Sequence, residues 1–425
     1  MTGPELLPLE EARARILEDV LPLRAGSTPL AEALGQILAE DATALLTLPP
    51  WDNSAMDGYA VRSEDTLAAT PELPVVLDVV GEVAAGHEPE IAVGPGTAVR
   101  VLTGAMLPSG ADAVVKVEDT DAPPGVASLP RRVAVRVPVP AGKDIREAGS
   151  DMRQGDHLLD AGRRVTPAAI AVLAAAGHAR VNVHRRPRVG IISTGDELTP
   201  LGEPLGPASI PDSNGESLAA QVRAAGAEPV RLGIAIDDRG VVRERLLEGI
   251  LDTDVLVVSG GVSVGARDVV KEVISEIGTL DLWRVAIQPG KPLAYGSAPR
   301  PDGGYCLLFG LPGNPVSSFV TFELFVRPVL RRLRGEDADG GRVHVWARLT
   351  EPVRKSAGRR AFMRVRLEED RAHRGLWLAH LAGGQGSHVL SALALADGLA
   401  IIPEDDAGAE AGTEVEVIRL DIEVA

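Results

Sequence analysis

A single cysteine, Cys306, stands among 425 residues, so no intrachain disulfide and no CxxC metal or redox motif can form. Its setting in the apolar run YCLLFG (305–310) makes it an expected buried core thiol. Long apolar runs are also missing: no stretch of about 18 residues reads as a membrane-crossing helix. Positive charge is scarce, with 43 Lys and Arg against 60 Asp and Glu and a net charge of −17. The chain therefore lacks the basic face that nucleic acids and acidic membranes require. At the N-terminus, MTGPELLPLEEARARILEDV has acids where a secretory signal needs a basic segment and an apolar block. These absences predict a soluble, cytoplasmic protein with neither nucleic acid nor membrane among its partners.

What is present supports several globular units: the apolar content is 45%, and the length predicts about three domains. LEEARARILEDVL (9–21) and PLAEALGQILAED (29–41) have helical spacing. From about 46 to 146 the text turns to short β-branched runs cut by Gly and Pro: LPVVLDVVGEV, GTAVRVLTGA, ADAVVKVEDT, RRVAVRVPV. This spacing predicts an antiparallel β domain. TPAAIAVLAAAG (166–177) then supplies a helix with Thr166 as N-cap, Pro167 at its first position and Gly177 past its end. Helical segments flank the β block, so it is expected to be an insertion into an elongated helical domain.

Between 188 and 335 the runs RVGIIS, PVRLGIAI, DVLVVSG and YCLLFG alternate with helical patterns, which predicts a parallel sheet covered on both faces. One helix is expected to open with a capping box from Ser213 to Glu216; another starts at Asn314 and Pro315 within NPVSSFVTFELFVRPVLRRLRG. After DADGG (337–341), RVHVWARL, AFMRVRLE, GLWLAHL, GLAIIP and EVEVIRL predict a small β barrel or sandwich.

Ligands of open α/β sheets bind beyond the carboxyl ends of the strands. Three successive strand ends here bring acids: RVGIIS-TGDE (Asp196, Glu197), LGIAI-DD (Asp237, Asp238) and LVVSGGVSVGARD (Asp268). The last is a glycine turn between strand and helix. Such a turn favours anions through its backbone N–H groups, yet this one lacks both the lysine of GxxxxGK[ST] and the spacing of GxGxxG. An acid beside a phosphate makes sense when Mg²⁺ lies between them, because Mg²⁺ takes one or two carboxylates together with phosphate oxygens. Each acid alone reads better as a solvated loop residue; three in succession predict a site. WRVAIQPGKPLAYG adds Arg284 and Lys291, and FGLPGNPVSS adds a second glycine turn with Pro312, Gly313 and Asn314. In the β block, PPWDNSAMDGYAVR (49–62) holds Asp57 in a loop with Trp51, Met56 and Tyr59; Thr103 follows in RVLTGAMLPSGADAVV, and Arg146 and Asp151 in DIREAGSDM.

DNSAMDGYAVR, VLTGAMLPSGADAVV, IREAGSDM, ISTGDEL, SGGVSVGARD, QPGKPLAYG, GLPGNPVSS and QGSH, in this order from about residue 50 to 390, resemble the molybdopterin molybdenumtransferase family (MoeA and the gephyrin E domain). The resemblance implies an enzyme of molybdenum cofactor biosynthesis. It would insert molybdate into the dithiolene of adenylylated molybdopterin and release AMP with Mg²⁺. It further implies an elongated homodimer with an intersubunit active site, and a MogA-type adenylyltransferase as the partner that supplies the substrate. The expected fold is multidomain α/β plus β. Residues 1–45 and 147–183 form a discontinuous elongated dimerisation domain, 46–146 the inserted β domain, 184–335 a MogA-like α/β domain of three layers, and 336–425 a C-terminal β barrel.

Carried over residue by residue, the resemblance places the family's functional acids on Asp57, Asp151, Glu197, Asp237 and Asp268, its threonine on Thr103, and its basic residues on Arg146, Arg284, Lys291 and Arg359. Glu197, Asp237 and Asp268 are the expected Mg²⁺ ligands. Ser259, Gly260, Gly261, Ser263 and Gly265 would face the pterin phosphate, with Pro312, Gly313 and Asn314 beside them. Lys291, Arg284 and Arg359 would bind phosphate or molybdate, and Asp57 and Thr103 would reach the partner subunit's cleft. One departure stands out: the expected KPGKP reads QPGKP, with Gln288 bringing a hydrogen-bonding amide in place of a charge. The competing readings are a scaffold or carrier without turnover, a MogA-like adenylyltransferase and a nucleotide hydrolase. The adenylyltransferase would need neither the inserted block nor the C-terminal barrel, and the hydrolase would not need DNSAMDGYAVR.

Overall fold

The computed structural model describes residues 6–122, 128–261, 269–370 and 375–423. Its centre is a six-stranded sheet in the order Glu228–Ala235, Arg188–Thr194, Val255–Ser259, Tyr305–Leu311, Pro292–Pro299, Thr279–Arg284. The first four strands run parallel, Pro292–Pro299 runs antiparallel to them, and Thr279–Arg284 pairs antiparallel with Pro292–Pro299 and so runs with the first four. The expected parallel sheet is thus a mixed one, because residues 285–291 and 300–304 are too short for the crossover that parallel neighbours need.

Both faces are covered, in three layers. Val189, Ile191, Val255 and Val257 pack on one side with Leu218, Val222, Val316 and Phe322. Ile192, Leu256 and Val258 pack on the other with Val242, Leu246, Val270 and Ile274. The alternation explains why these strands read as unbroken apolar runs. Cys306 lies in this second core, and burial pushes its thiol up to about 12.

The helix Ser213–Ala224 is capped by Asp212, whose carboxylate accepts the Gly215 amide at 2.9 Å. The expected cap, Ser213, lies inside the helix, and Glu216 pairs with Arg231 at 2.5 Å instead of closing a capping box. The helix starting after Asn314 runs Pro315–Thr321, loosens into a π turn over Phe322–Val326 and resumes over Arg327–Leu333. Pro328 has no amide hydrogen to give to Leu324 four residues back, which accounts for the interruption.

The region expected to be helical is helical only in part. Leu9–Leu17 and Pro167–Ala175 are helices, the latter with Thr166 accepting the Ala169 amide. Residues 29–41 are not. Ala25–Pro29 and Ile37–Leu38 both pair with Arg180–His184, leaving one short 3₁₀ turn at Leu30–Glu32. Gly35, at φ +75°, interrupts any helix there, and strand pairing buries Leu30, Ala33 and Leu38 against Leu173. Tertiary pairing has overridden helical spacing. The helix Leu9–Leu17 turns away from these strands: Leu9, Ala12 and Ile16 join the α/β core, and the Tyr295 hydroxyl donates to the Ile16 carbonyl.

The inserted block is a five-stranded sheet in the order Ala113–Lys116, Gly58–Val61, Thr97–Val101, Val75–Val83, Arg132–Val135. One neighbouring pair, Val75–Val83 with Thr97–Val101, is parallel, a correction to the all-antiparallel expectation that residues 84–96 permit by their length. Beyond residue 341, strands Arg360–Glu369, Trp377–Leu381, Arg342–Leu349, Glu414–Glu423 and Gly398–Ile402 pair in turn. The last returns to Arg360–Glu369, so the ring closes and the unit is a barrel. No described helix is long and apolar enough to cross a membrane.

Candidate active site

Strand register fixes which loops meet. Thr194 pairs with Ala235, Ser193 with Ser259, and Ser259 with Leu311. Gly310 pairs with Ala294, and Pro292 with Arg284. One sheet edge therefore carries, in order, the loops at Asp237, Glu197, Gly260, Gly313, Lys291 and Arg284. At about 4.8 Å per strand the acids at one end and the bases at the other lie about 24 Å apart.

At the acid end Asp237 donates its amide to the Asp196 carboxylate at 3.0 Å. Glu197 folds back over Gly195, where an added Cβ would meet its carboxylate at 2.5 Å. Burial first, and the charges of Asp196 and Glu197 next, raise the Asp237 carboxyl above its ordinary range. Among the described residues no basic side chain pairs with these three acids. No group of three His, Cys, Asp or Glu side chains among the described residues could hold a metal by itself. Crowded carboxylates of one sign still fit Mg²⁺, which takes one or two of them and draws its other oxygens from substrate and water.

The middle of the edge holds both glycine turns. Gly260 (φ +91°) and Gly261 (φ +65°) occupy backbone conformations that suit glycine, and an added Cβ at Gly260 would reach the Thr194 carbonyl at 2.7 Å. The Gly260 amide donates to the Leu311 carbonyl at 3.0 Å. Asn214 donates its amide nitrogen to both the Ser259 hydroxyl (2.8 Å) and the Gly313 carbonyl (2.7 Å). Asp212 anchors this corner: buried, it takes the Ser193 hydroxyl at 2.8 Å as well as the helix amide. Ser263, Gly265 and Asp268, expected in the same turn, lie outside the described residues.

At the basic end Arg284 and Lys291 flank Gln288, whose side-chain oxygen is buried without a hydrogen-bond partner. Ile287 and Gln288 pair with Arg360 and Ala361 of the barrel, and the Arg360 amide donates to the Ala286 carbonyl at 2.8 Å. This joint brings Arg359, from a different unit, beside the QPGKP turn. The same barrel strand contributes a residue that sequence reading missed. Ala361, Met363 and Val365 line the barrel interior, while Phe362 packs into the α/β core. By strand alternation Arg364 shares the face of Phe362. Arg364 is fully buried, and its guanidinium donates to the carbonyls of Gly384 (2.9 Å) and Gly386 (3.1 Å) while its Nε has no partner. Burial lowers its pKa. The loop holding it reaches the second glycine turn, since the Ser387 carbonyl accepts the Val316 amide at 3.2 Å. The available signal was an arginine set among apolar residues of AFMRVRLE, together with the QGSH loop.

A second cluster lies in the inserted block. Asp57 accepts the Thr103 amide at 2.7 Å and its hydroxyl at 2.8 Å, and these two bonds hold its carboxyl below the usual range. Asp57 also lines a cavity of about 530 Å³ with Tyr59, Glu82, Arg100, Glu118 and Arg132. Arg146 pairs with Asn53 at the base of the same loop, and the Asp151 amide donates to the Leu48 carbonyl. No hydrogen bond among the described residues ties this cluster to the carboxyl edge of the α/β sheet.

Fold and site together define a multidomain α/β protein whose strand edge carries acids, two glycine turns and cations in order, with a β barrel against its basic end. Comparison with known proteins then gives the family. Residues 7–177 match the MoeA N-terminal region (domain I and II), residues 190–332 a “Probable molybdopterin binding domain”, and residues 346–420 the MoeA C-terminal region (domain IV). Molybdopterin molybdenumtransferase 2 of Mycobacterium tuberculosis is 41% identical over 96% of this chain and 98% of its own. Molybdopterin molybdenumtransferase of Nostoc is 39% identical over 92% and 87%. The crystal structure of a molybdopterin biosynthesis MoeA protein from Pyrococcus horikoshii, 35% identical, superposes with a TM-score of 0.80 over 98% of this chain and 99% of that one. The chain belongs to the molybdopterin molybdenumtransferase (MoeA) family, a family of enzymes in molybdenum cofactor biosynthesis.

Proposed function

We propose that this enzyme inserts molybdate into the dithiolene of adenylylated molybdopterin and releases AMP, with Mg²⁺ as cofactor. The observation that carries the reading is the ordering of charge along one strand edge: carboxylates, then two glycine turns, then cations. A pterin phosphate joined to an adenylate suits the middle, where backbone amides favour phosphate oxygens. Glu197 and Asp237, with Asp196 close by and Asp268 completing the set, would hold Mg²⁺, which supplies charge neutralisation at the pyrophosphate. The cations suit the other substrate, a tetrahedral oxyanion. Lys291, Arg284 and Arg359 would bind and orient molybdate, while Arg364, fully buried, would hold the 384–386 loop in place beside them. Gln288 adds a neutral hydrogen-bonding group among these charges, so affinity for the anion rests on the arginines and Lys291.

Asp57, kept ionised by Thr103, makes no hydrogen bond to this edge among the described residues. The helix Pro167–Ala175 supports a homodimer: PAAIAVLAA carries no charge, and Val172 and the alanines 168, 171, 174 and 175 face outward. Across such an interface Asp57, Thr103, Arg146 and Asp151 would complete the partner subunit's site. In this arrangement residues 1–45 with 147–183 form the dimerising unit, and 46–146, 184–335 and 336–425 the remaining domains. A cytoplasmic location and a MogA-type supplier of the adenylylated pterin complete the reading.

The test is AMP release from adenylylated molybdopterin with Mg²⁺, with and without molybdate, scored together with formation of active cofactor. Molybdate-dependent release with cofactor formed is expected, and chelation of the divalent cation should stop it. Release without metal insertion would indicate a hydrolase. Binding without turnover would indicate a carrier.

A further inference from the structure

We infer that Asn214 is a positioning residue that clamps the two glycine turns of the active site at a fixed separation, so that one bound phosphate chain can meet both. The inference rests on the functional reading above. Its side-chain amide nitrogen donates to the Ser259 hydroxyl at 2.8 Å and to the Gly313 carbonyl at 2.7 Å. Those acceptors serve different turns: Ser259 closes the strand Val255–Ser259 and leads into the first, and Gly313 lies in the second, after the strand Tyr305–Leu311. The turns already approach closely, since an added Cβ at Gly313 would stand 3.7 Å from the Gly260 Cα. Among the described residues a backbone bond, from the Gly260 amide to the Leu311 carbonyl, joins them from the side of the sheet; Asn214 adds a further tie from the helix.

The clamp is itself held firmly. Asn214 sits in the first turn of Ser213–Ala224, two residues after Asp212. That acid is buried, caps the helix through the Gly215 amide, binds the Ser193 hydroxyl and contacts Arg231. The position of Asn214 is therefore set by the neighbouring strand and not by the turns it joins. An aspartate of the same size cannot replace it, because a carboxylate oxygen facing the Gly313 carbonyl repels it instead of donating.

Losing a preorganising contact lowers the fraction of protein competent to bind, which weakens ground state and transition state alike. Two net hydrogen bonds of about 1 kcal/mol each correspond to roughly a 30-fold rise in KM for adenylylated molybdopterin, with kcat changed by less than about threefold. The experiment compares Asn214→Ala and Asn214→Asp with the wild type. It measures KM and kcat for AMP release, and hydrogen exchange of the ligand-free proteins in peptides covering 256–261 and 308–314. The clamp predicts a raised KM in both variants, at least as large in Asn214→Asp, and faster exchange in both peptides together. Exchange unchanged, or faster in one peptide only, overturns it, as does a fall in kcat at constant KM. Because exchange needs no substrate, a wild type without molybdate-dependent AMP release would defeat the functional reading while exchange still decides the clamp.

Discussion

At the amino edge of the α/β sheet, Asp254 takes both guanidinium nitrogens of Arg185 at 2.6 and 2.7 Å, the Arg188 amide at 2.9 Å and Arg300 at 3.1 Å. At the carboxyl edge of the same sheet, Asp237 stands beside Asp196 and Glu197 and pairs with no base among the described residues. Both carboxyls are pushed up by burial, but at Asp254 the arginine bonds outweigh it and the net shift is downward, whereas at Asp237 the neighbouring acids add to it. Arg364 repeats the contrast with the other sign: it is buried against carbonyls, while Arg185 is met by an acid. Charges that hold this fold together are cancelled inside the chain. Charges of one sign gathered without partners raise the energy of the free protein, and a ligand of opposite sign relieves them.

The comparison breaks most readily at Asp254. Asp254→Ala removes the buried acid that Arg185, the Arg188 amide and Arg300 share, and should cost about 1–3 kcal/mol in urea denaturation, since Arg185 is half exposed and Arg300 keeps Asp302. The sign of its pH dependence follows: a lowered carboxyl stabilises above the ordinary value near 4 and loses that contribution as pH falls through the folded value. The acid limb of the stability curve should flatten in this variant. Next in size, Glu197→Gln and Asp237→Asn should each lower kcat/KM by about 100-fold without lowering the urea midpoint. A loss of stability in either would show that these acids are structural. Arg364→Met should raise the KM for molybdate by about tenfold and lower stability by about 1–3 kcal/mol, since the Gly384 and Gly386 carbonyls lose their buried donor. The smallest effect concerns pH. The raised Asp237 carboxyl favours the folded state below the ordinary carboxylate range and loses that contribution as pH rises through its folded value. Activity that needs its ionised form should accordingly fall on the acid side at a higher pH than an ordinary aspartate dictates, and Asp237→Asn should remove that limb.

Several parts of this molecule were legible because local chemistry decided them. The four apolar runs of the α/β unit became its four parallel strands, and the Thr166–Pro167 start and the Asn314–Pro315 start both opened helices. Other parts depended on partners distant in sequence. PLAEALGQILAED has a helical apolar pattern, yet its ends pair with the strand Arg180–His184, and Leu30, Ala33 and Leu38 are buried in the core beside it. Ser213 looked like the cap because Glu216 lies three residues on, but Arg231 from the next strand claims Glu216 and leaves the cap to Asp212. Arg364 and Asn214 were passed over for the same reason, since what marks each of them is the set of groups it meets.

By itself, then, the sequence determined the family, the strand–helix alternation and the residue types at the strand ends, since motifs, apolar periodicity and turn chemistry act over a few residues. Only the tertiary structure decided the order of those strand ends across the sheet, and with it the run from acids through glycine turns to cations. It alone closed the barrel and set Arg364 against the carbonyls of Gly384 and Gly386, because strand order, register and burial are settled by long-range pairing that no local stretch of chain encodes.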